Sequence, residues 1–188
     1  ESRNHPNTGS AGIAWADPDG PHSTYTWPHE FAQMGHLISS YQNYDYYQNP
    51  AGSYFHHGID MVALTYGLPV YTRTGGQVVN VENYEPGLDL YWEVAILDLE
   101  GYVWQFHHID HTTIPQEIHD AYDAYRDDPD TGGFVEPGTW IGDIVEWPVE
   151  SFGYFFHHIH LNILAAGDIY INPLEFHKPG NYVDTQDP

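Results

Sequence analysis

The chain has 188 residues, enough for one domain that buries roughly 70% of its unfolded surface. Its 27 Asp and Glu against 4 Lys and Arg give a formal net charge of -23, which excludes nucleic acid and anionic membrane as partners because nothing would neutralise phosphates. The lack of cysteine excludes disulfide scaffolds, thiolate metal sites and cysteine nucleophiles, so any metal must be held by His and carboxylate.

Acidic chains with few aromatics are often disordered, but 16 Tyr, 8 Phe and 6 Trp supply a core here. Residues 1 to about 50 are rich in Pro, Gly, Asn, Ser and Tyr. Only "HEFAQMGHLISS" shows apolar periodicity, which predicts an irregular arm wrapping a core. The opening "ESRNHPNTGS" has no basic region followed by an apolar one, and no apolar run approaches the roughly 18 residues of a span. A mature, processed form without membrane insertion is expected.

From Tyr54 onward, β-type segments alternate with turn signals: "PVYTR", "GGQVVNVE", "LYWEVAILDL", "GYVWQFHHI", "WIGDIV" and "FFHHIHLNIL". This spacing predicts a mainly β fold, an antiparallel sheet or sandwich with long loops. One interruption, "TTIPQEIHDAYDAYR", sets Ile114, Ile118, Ala121, Tyr122 and Tyr125 at helical spacing. Thr113 with Gln116 resembles a capping box and Pro115 suits a first turn, so a surface helix inserted near 115–126 is expected.

Of 14 histidines, six form adjacent pairs, His56 with His57, His107 with His108, and His157 with His158. Strand neighbours point to opposite faces, so one member of each pair is expected inward and the other outward. For a single pair, a half-buried structural role is the plainer reading; three pairs plus His160 favour a site. His158 and His160 share a strand face, roughly 6.6 Å apart along the backbone. His56 and Asp60 would lie roughly 13 Å apart on an extended strand, too far for a common ion, so a bend at Gly58 is required. Two imidazoles and one carboxylate suit Zn²⁺ and leave a fourth position for water. Spacing alone does not say which of His158 and His160 is a ligand.

The order "HHGID", "GLPV", "GGQVV", then "FHHID", "GTWIGDI", "HIHL" and "INPLEF" resembles the lysostaphin-type (LytM-like) zinc endopeptidases, bacterial enzymes that cut peptides of peptidoglycan or glycine-rich proteins. The resemblance covers about residues 36–178, which sets an arm at 1–35 and a tail at 179–188. Position by position it implies that His56, Asp60 and His160 bind zinc while His108 and His158 are catalytic. It implies a zinc metalloendopeptidase, secreted or held in the bacterial cell envelope, acting as a monomer on peptide or peptidoglycan. The chain departs from the family pattern in Leu161, which stands where an aromatic is usual, in the inserted helix, and in the missing "Ser/Thr-Gly-x-Gly-x-Pro" approach to the last motif.

Three other readings compete. His108 and Asp110 with a distant His fit the ligand set of non-haem iron oxygenases, yet only Lys178 lies beyond His160 to hold an oxoacid carboxylate. A cupin would use "HIH" with a following Glu, absent from "LNILAAG". A degenerate binding or regulatory module would have lost ligands, whereas all five counterparts stand. Around the site, Asn162 shares the face of His160 and is either its support or an ordinary strand residue. The tyrosines of "YQNYDYYQNPAGSY" are candidate groove walls.

At -23 the chain should repel anionic cell-wall polymers, and salt shortens that repulsion from about 10 Å at 0.1 M to about 3 Å at 1 M. Self-repulsion falls as well. We therefore expect an enzyme of saline surroundings, with melting temperature and hydrolysis of an anionic peptide both rising along an NaCl series. Flat curves for both would leave the acidity a device for solubility alone.

Overall fold

The computed structural model describes residues 56–63, 65–148 and 157–173, together with the backbone of short strands elsewhere. In chain order the strands are β1 (Ile13–Ala14), β2 (Met34–Ser39), β3 (Tyr44–Asp45), β4 (Tyr54–Phe55), β5 (Ile59–Ala63), β6 (Pro69–Tyr71), β7 (Gly76–Asn83), β8 (Trp92–Asp98) and β9 (Val103–His107). They continue with β10 (Ile109–Asp110), β11 (Phe134–Val135), β12 (Trp140–Ile144), β13 (Glu150–Ser151), β14 (Tyr154–Phe155), β15 (His158–Ala165), β16 (Ile169–Ile171) and β17 (Val183–Asp184). Among the described residues there is one α-helix, α1 (Gln116–Asp127), and every strand pairing is antiparallel.

The main sheet runs β11-β7-β8-β9-β15-β5-β2, with β16 also on β15. Its strands alternate with period two, as half-buried strands must. One face carries Val94, Ile96, Trp104, Phe106, Ile59, Met61, Ile159, Leu161 and Ile163, all fully buried. That face shares a core with Val70, Ile109, Ile141 and Ile144 of the small sheet β10-β12-β6 and with Ile118 of α1. Each such side chain contributes about 1.5–3 kcal/mol of burial. The other face carries Glu93, Gln105, His107, Asp60, His158, His160 and Asn162, and the site is built there.

The turn between β8 and β9 is organised by one carboxylate. Asp98 accepts from the backbone N–H of Glu100 and Tyr102, both at 2.9 Å, and from Trp104 Nε1 at 2.8 Å. It satisfies two turn donors and the buried indole together, which fixes the register of the central strands.

Three expectations change. The irregular arm fails at Met34–Ser39, which pairs with β5 as the outer strand of the main sheet. The helix forms as expected, but no capping box does, because the N-cap is Pro115, whose side chain caps nothing. Thr113 is drawn away: its Oγ1 donates to the Asp110 carbonyl at 2.7 Å and accepts from the Asp143 N–H at 2.8 Å, so it ties the helix entry to β12. The third concerns the histidine pairs. His56 is buried and His57 exposed, but both members of each other pair are buried. The rest of 1–35, the tail 179–188 and the side chains of "YQNYDYYQNPAGSY" lie outside the described residues. No helix among the described residues is long and apolar enough to cross a membrane.

Candidate metal centre and active site

On the polar face the register across four adjacent strands places Glu93 opposite His107, His107 opposite His160, and His160 opposite Asp60. His56 joins this row from the loop before β5. The bend that brings it there passes Gly58, whose place leaves no room for a side chain: a Cβ would sit 2.2 Å from the Leu161 carbonyl oxygen and 2.4 Å from Asn162 Oδ1.

Three donor atoms converge as a result. His56 Nε2 lies 3.2 Å from Asp60 Oδ1 and 2.9 Å from His160 Nδ1, and His160 Nδ1 lies 2.8 Å from Asp60 Oδ1. A tetrahedral ion with bonds of about 2.0–2.1 Å has donor–donor edges of about 3.3 Å, so the triangle is close to the size such an ion needs. Among the described residues, His56, Asp60 and His160 are the group so placed. Burial pushes the Asp60 carboxyl up, but the charge of His56 and the close contacts of the His160 and His56 rings outweigh it and hold the group well below the usual carboxylate range. The donor set is therefore two imidazoles and an ionised carboxylate, with no thiolate, which suits zinc.

His108 and His158 face each other beside this triangle, with ring centres 4.5 Å apart and the His108 ring 6.2 Å from that of His160. Trp147 lies against both, at 4.7 and 4.9 Å. His108 reaches the cavity because its backbone departs from the strand, with φ 70, a left-handed conformation uncommon outside glycine. Three hydrogen bonds hold it: its N–H donates to Trp92 O at 3.0 Å, its carbonyl accepts from Val145 N at 3.0 Å, and Nδ1–H donates to Leu90 O at 2.8 Å. This kink, which ends β9, explains why His107 and His108 are not on opposite faces. A carbonyl only accepts, so Nδ1 carries the proton and Nε2 the lone pair. Burial, then the charges of His158 and His160, push His108 well below the usual imidazole range, which leaves it a neutral base.

The remaining pair members have other work. His157 Nδ1 accepts from the Trp147 N–H at 3.0 Å and so fixes the segment that carries Trp147. His57 stacks on Tyr170 with ring centres 4.3 Å apart. Asn162 Oδ1 accepts from His160 Nε2 at 2.7 Å, so it supports that ring and is not the ordinary strand residue that was the plainer of its two readings. The iron-oxygenase set is not assembled: Asp110 instead accepts from Thr112 at 2.9 Å, capping the short helix after β10. Sequence reasoning did not single out Glu93. A carboxylate at the head of the apolar run "EVAIL" was the available signal.

These groups line a cavity of roughly 530 Å³, with Tyr84, Tyr91, Trp147 and Tyr170 among its walls and no Lys or Arg. The fold is that of the lysostaphin-type, LytM-like peptidases. Among solved structures the chain is similar to a zinc containing peptidase from Vibrio cholerae, with a TM-score of 0.51 and 18% identity over 78% of this chain and 37% of that one. It therefore spans little more than a third of that protein. It is also similar to a variant of the catalytic domain of the prophage-encoded M23 protein EnpA from Enterococcus faecalis, with TM-score 0.49, 21% identity and coverage of 78% and 94%. Lysostaphin in solution gives TM-score 0.48, 16% identity and coverage of 94% and 54%. No family model and no curated protein matches the chain.

Proposed function

We propose that the chain is a zinc-dependent endopeptidase, hydrolysing peptide bonds in peptidoglycan stem or cross-bridge peptides or in glycine-rich proteins. The observation that carries this reading is the convergence of His56, Asp60 and His160 donor atoms within 3.2 Å of one another, beside a second, facing pair of imidazoles. Zinc held by His56, Asp60 and His160 supplies a Lewis acid and a nucleophile at neutral pH.

The protein's own part is proton handling and shape. His108 Nε2 takes the proton of the attacking water, since its Nδ1–H is engaged by Leu90, and later returns it to the leaving amine. His158, facing it, donates to the oxyanion that develops on the scissile carbonyl. Trp147 packs over both rings and keeps bulk water from them. Such a substrate would lie outside the cell or in the bacterial envelope.

Digestion of purified peptidoglycan and of a glycine-rich protein, with mass analysis of the products, tests this. New peptide ends that vanish on chelation and return with zinc are expected. Intact substrates after incubation with zinc-loaded protein would refute the reading.

A further inference from the structure

Three buried polar residues that the mechanism leaves unused, Glu93, His107 and Asn162, form a series ending on His160. Asn80 Nδ2 donates to Glu93 Oε1 at 2.8 Å, and Glu93 Oε2 lies 3.3 Å from His107 Nδ1. His107 Nε2 lies 3.1 Å from Asn162 Nδ2, and Asn162 Oδ1 lies 2.7 Å from His160 Nε2. Asn162 Nδ2 also lies 3.3 Å from Gln105 Oε1, its cross-strand neighbour. The contact of His107 with Glu93 is the loosest link, close but not aligned as a full hydrogen bond. Burying a carboxylate, an imidazole and a carboxamide in one row is unfavourable unless each is paired with the next.

Donors and acceptors along the series permit one direction. An amide nitrogen only donates, so His107 meets Asn162 Nδ2 with a lone pair on Nε2 and carries its proton on Nδ1, on the side of Glu93. That lone pair takes an N–H of Asn162, whose amide then presents Oδ1 to His160. His160 must carry its proton on Nε2, which leaves the Nδ1 lone pair aimed at Asp60 and His56.

We propose that Glu93, His107 and Asn162 are positioning residues that fix His160 in the tautomer offering Nδ1 to the metal. This rests on the metal site proposed above. The family resemblance gives a role to His108 and none to His107. Partners of this kind hold the ring in place and raise ligand basicity.

Two measurements decide it, and neither reads hydrolysis. In the metal-free wild-type protein under alkaline conditions, ¹⁵N–¹H correlation of the imidazoles, with His160 assigned from His160→Gln, should show protonated Nε2 and bare Nδ1. The opposite tautomer would overturn the proposal whatever becomes of the variants. In chelator competition, Asn162→Ala and His107→Leu should bind Co²⁺ about 10- to 100-fold more weakly than wild type. His107→Gln, whose amide again joins one donor to one acceptor, should recover most of that loss. Wild-type affinity in the folded Asn162→Ala and His107→Leu proteins, or an equal loss in His107→Gln, would also overturn it. A wild-type protein that binds Co²⁺ but cuts no peptide would instead defeat the peptidase reading and leave this series standing.

Discussion

His108→Ala and His158→Ala are each expected to retain the metal and to lose about 10²- to 10⁴-fold in peptide hydrolysis, the range for removing a positioned acid or base. Neither ring is among the three converging donors, and each reaches the cavity from a different element. His108 is held at the kink after β9 by Trp92, Val145 and Leu90, while His158 begins β15. Their centres are 4.5 Å apart, so removing either deprives the reacting water and carbonyl of one partner without opening the metal triangle. The double variant should lose little more than the worse single one, because groups acting as a unit are not additive. Steady-state kinetics with metal content measured on the same samples would check this. Near-wild-type rates in either variant would remove that residue from the mechanism.

The second large effect belongs to Asp60. Asp60→Asn keeps the shape of the side chain but removes the anionic donor, and one of its two polar atoms becomes a proton donor facing two imidazoles. Zinc binding should fall to background, and the melting temperature should cease to respond to zinc. In the wild type, free zinc at a thousand times its dissociation constant adds about 4 kcal/mol of stability. Gly58 belongs to the same argument, since the approach of residues 56–60 to Leu161 and Asn162 that carries His56 to Asp60 has no space for a Cβ. Calorimetric melting with and without zinc would show the effect, and a shift in Asp60→Asn equal to that of wild type would remove Asp60 from the site.

The two halves of the donor triangle were legible because each is local in sequence, whereas the choice of His160 over His158 came from the family resemblance. His56 and Asp60 sit four residues apart around a glycine, His158 and His160 two apart on a strand, and period-two alternation in "HIHLNIL" separates the site face from Ile159, Leu161 and Ile163. The helix was legible from its 3.6-residue spacing, but its cap was not. Thr113 is claimed by Asp110 and Asp143, and the second of these contacts spans 30 residues of chain.

What could not be read depends on strand order. Glu93, His107, His160 and Asp60 form one row only because β8, β9, β15 and β5 are neighbours in that register, and no local pattern states which strands adjoin. The left-handed backbone of His108 was hidden for the same reason, since the groups that stabilise it come from residues 90, 92 and 145. Met34–Ser39 read as irregular because its surroundings are turn-rich, whereas pairing with β5 decides its conformation.

The central claim divides two histidines that stand two residues apart on one strand, and the zinc content of His158→Ala and His160→Ala, measured on folded protein by elemental analysis, tests it most directly. The account predicts one zinc per chain in His158→Ala and none in His160→Ala. Zinc retained in His160→Ala and lost from His158→Ala would contradict it.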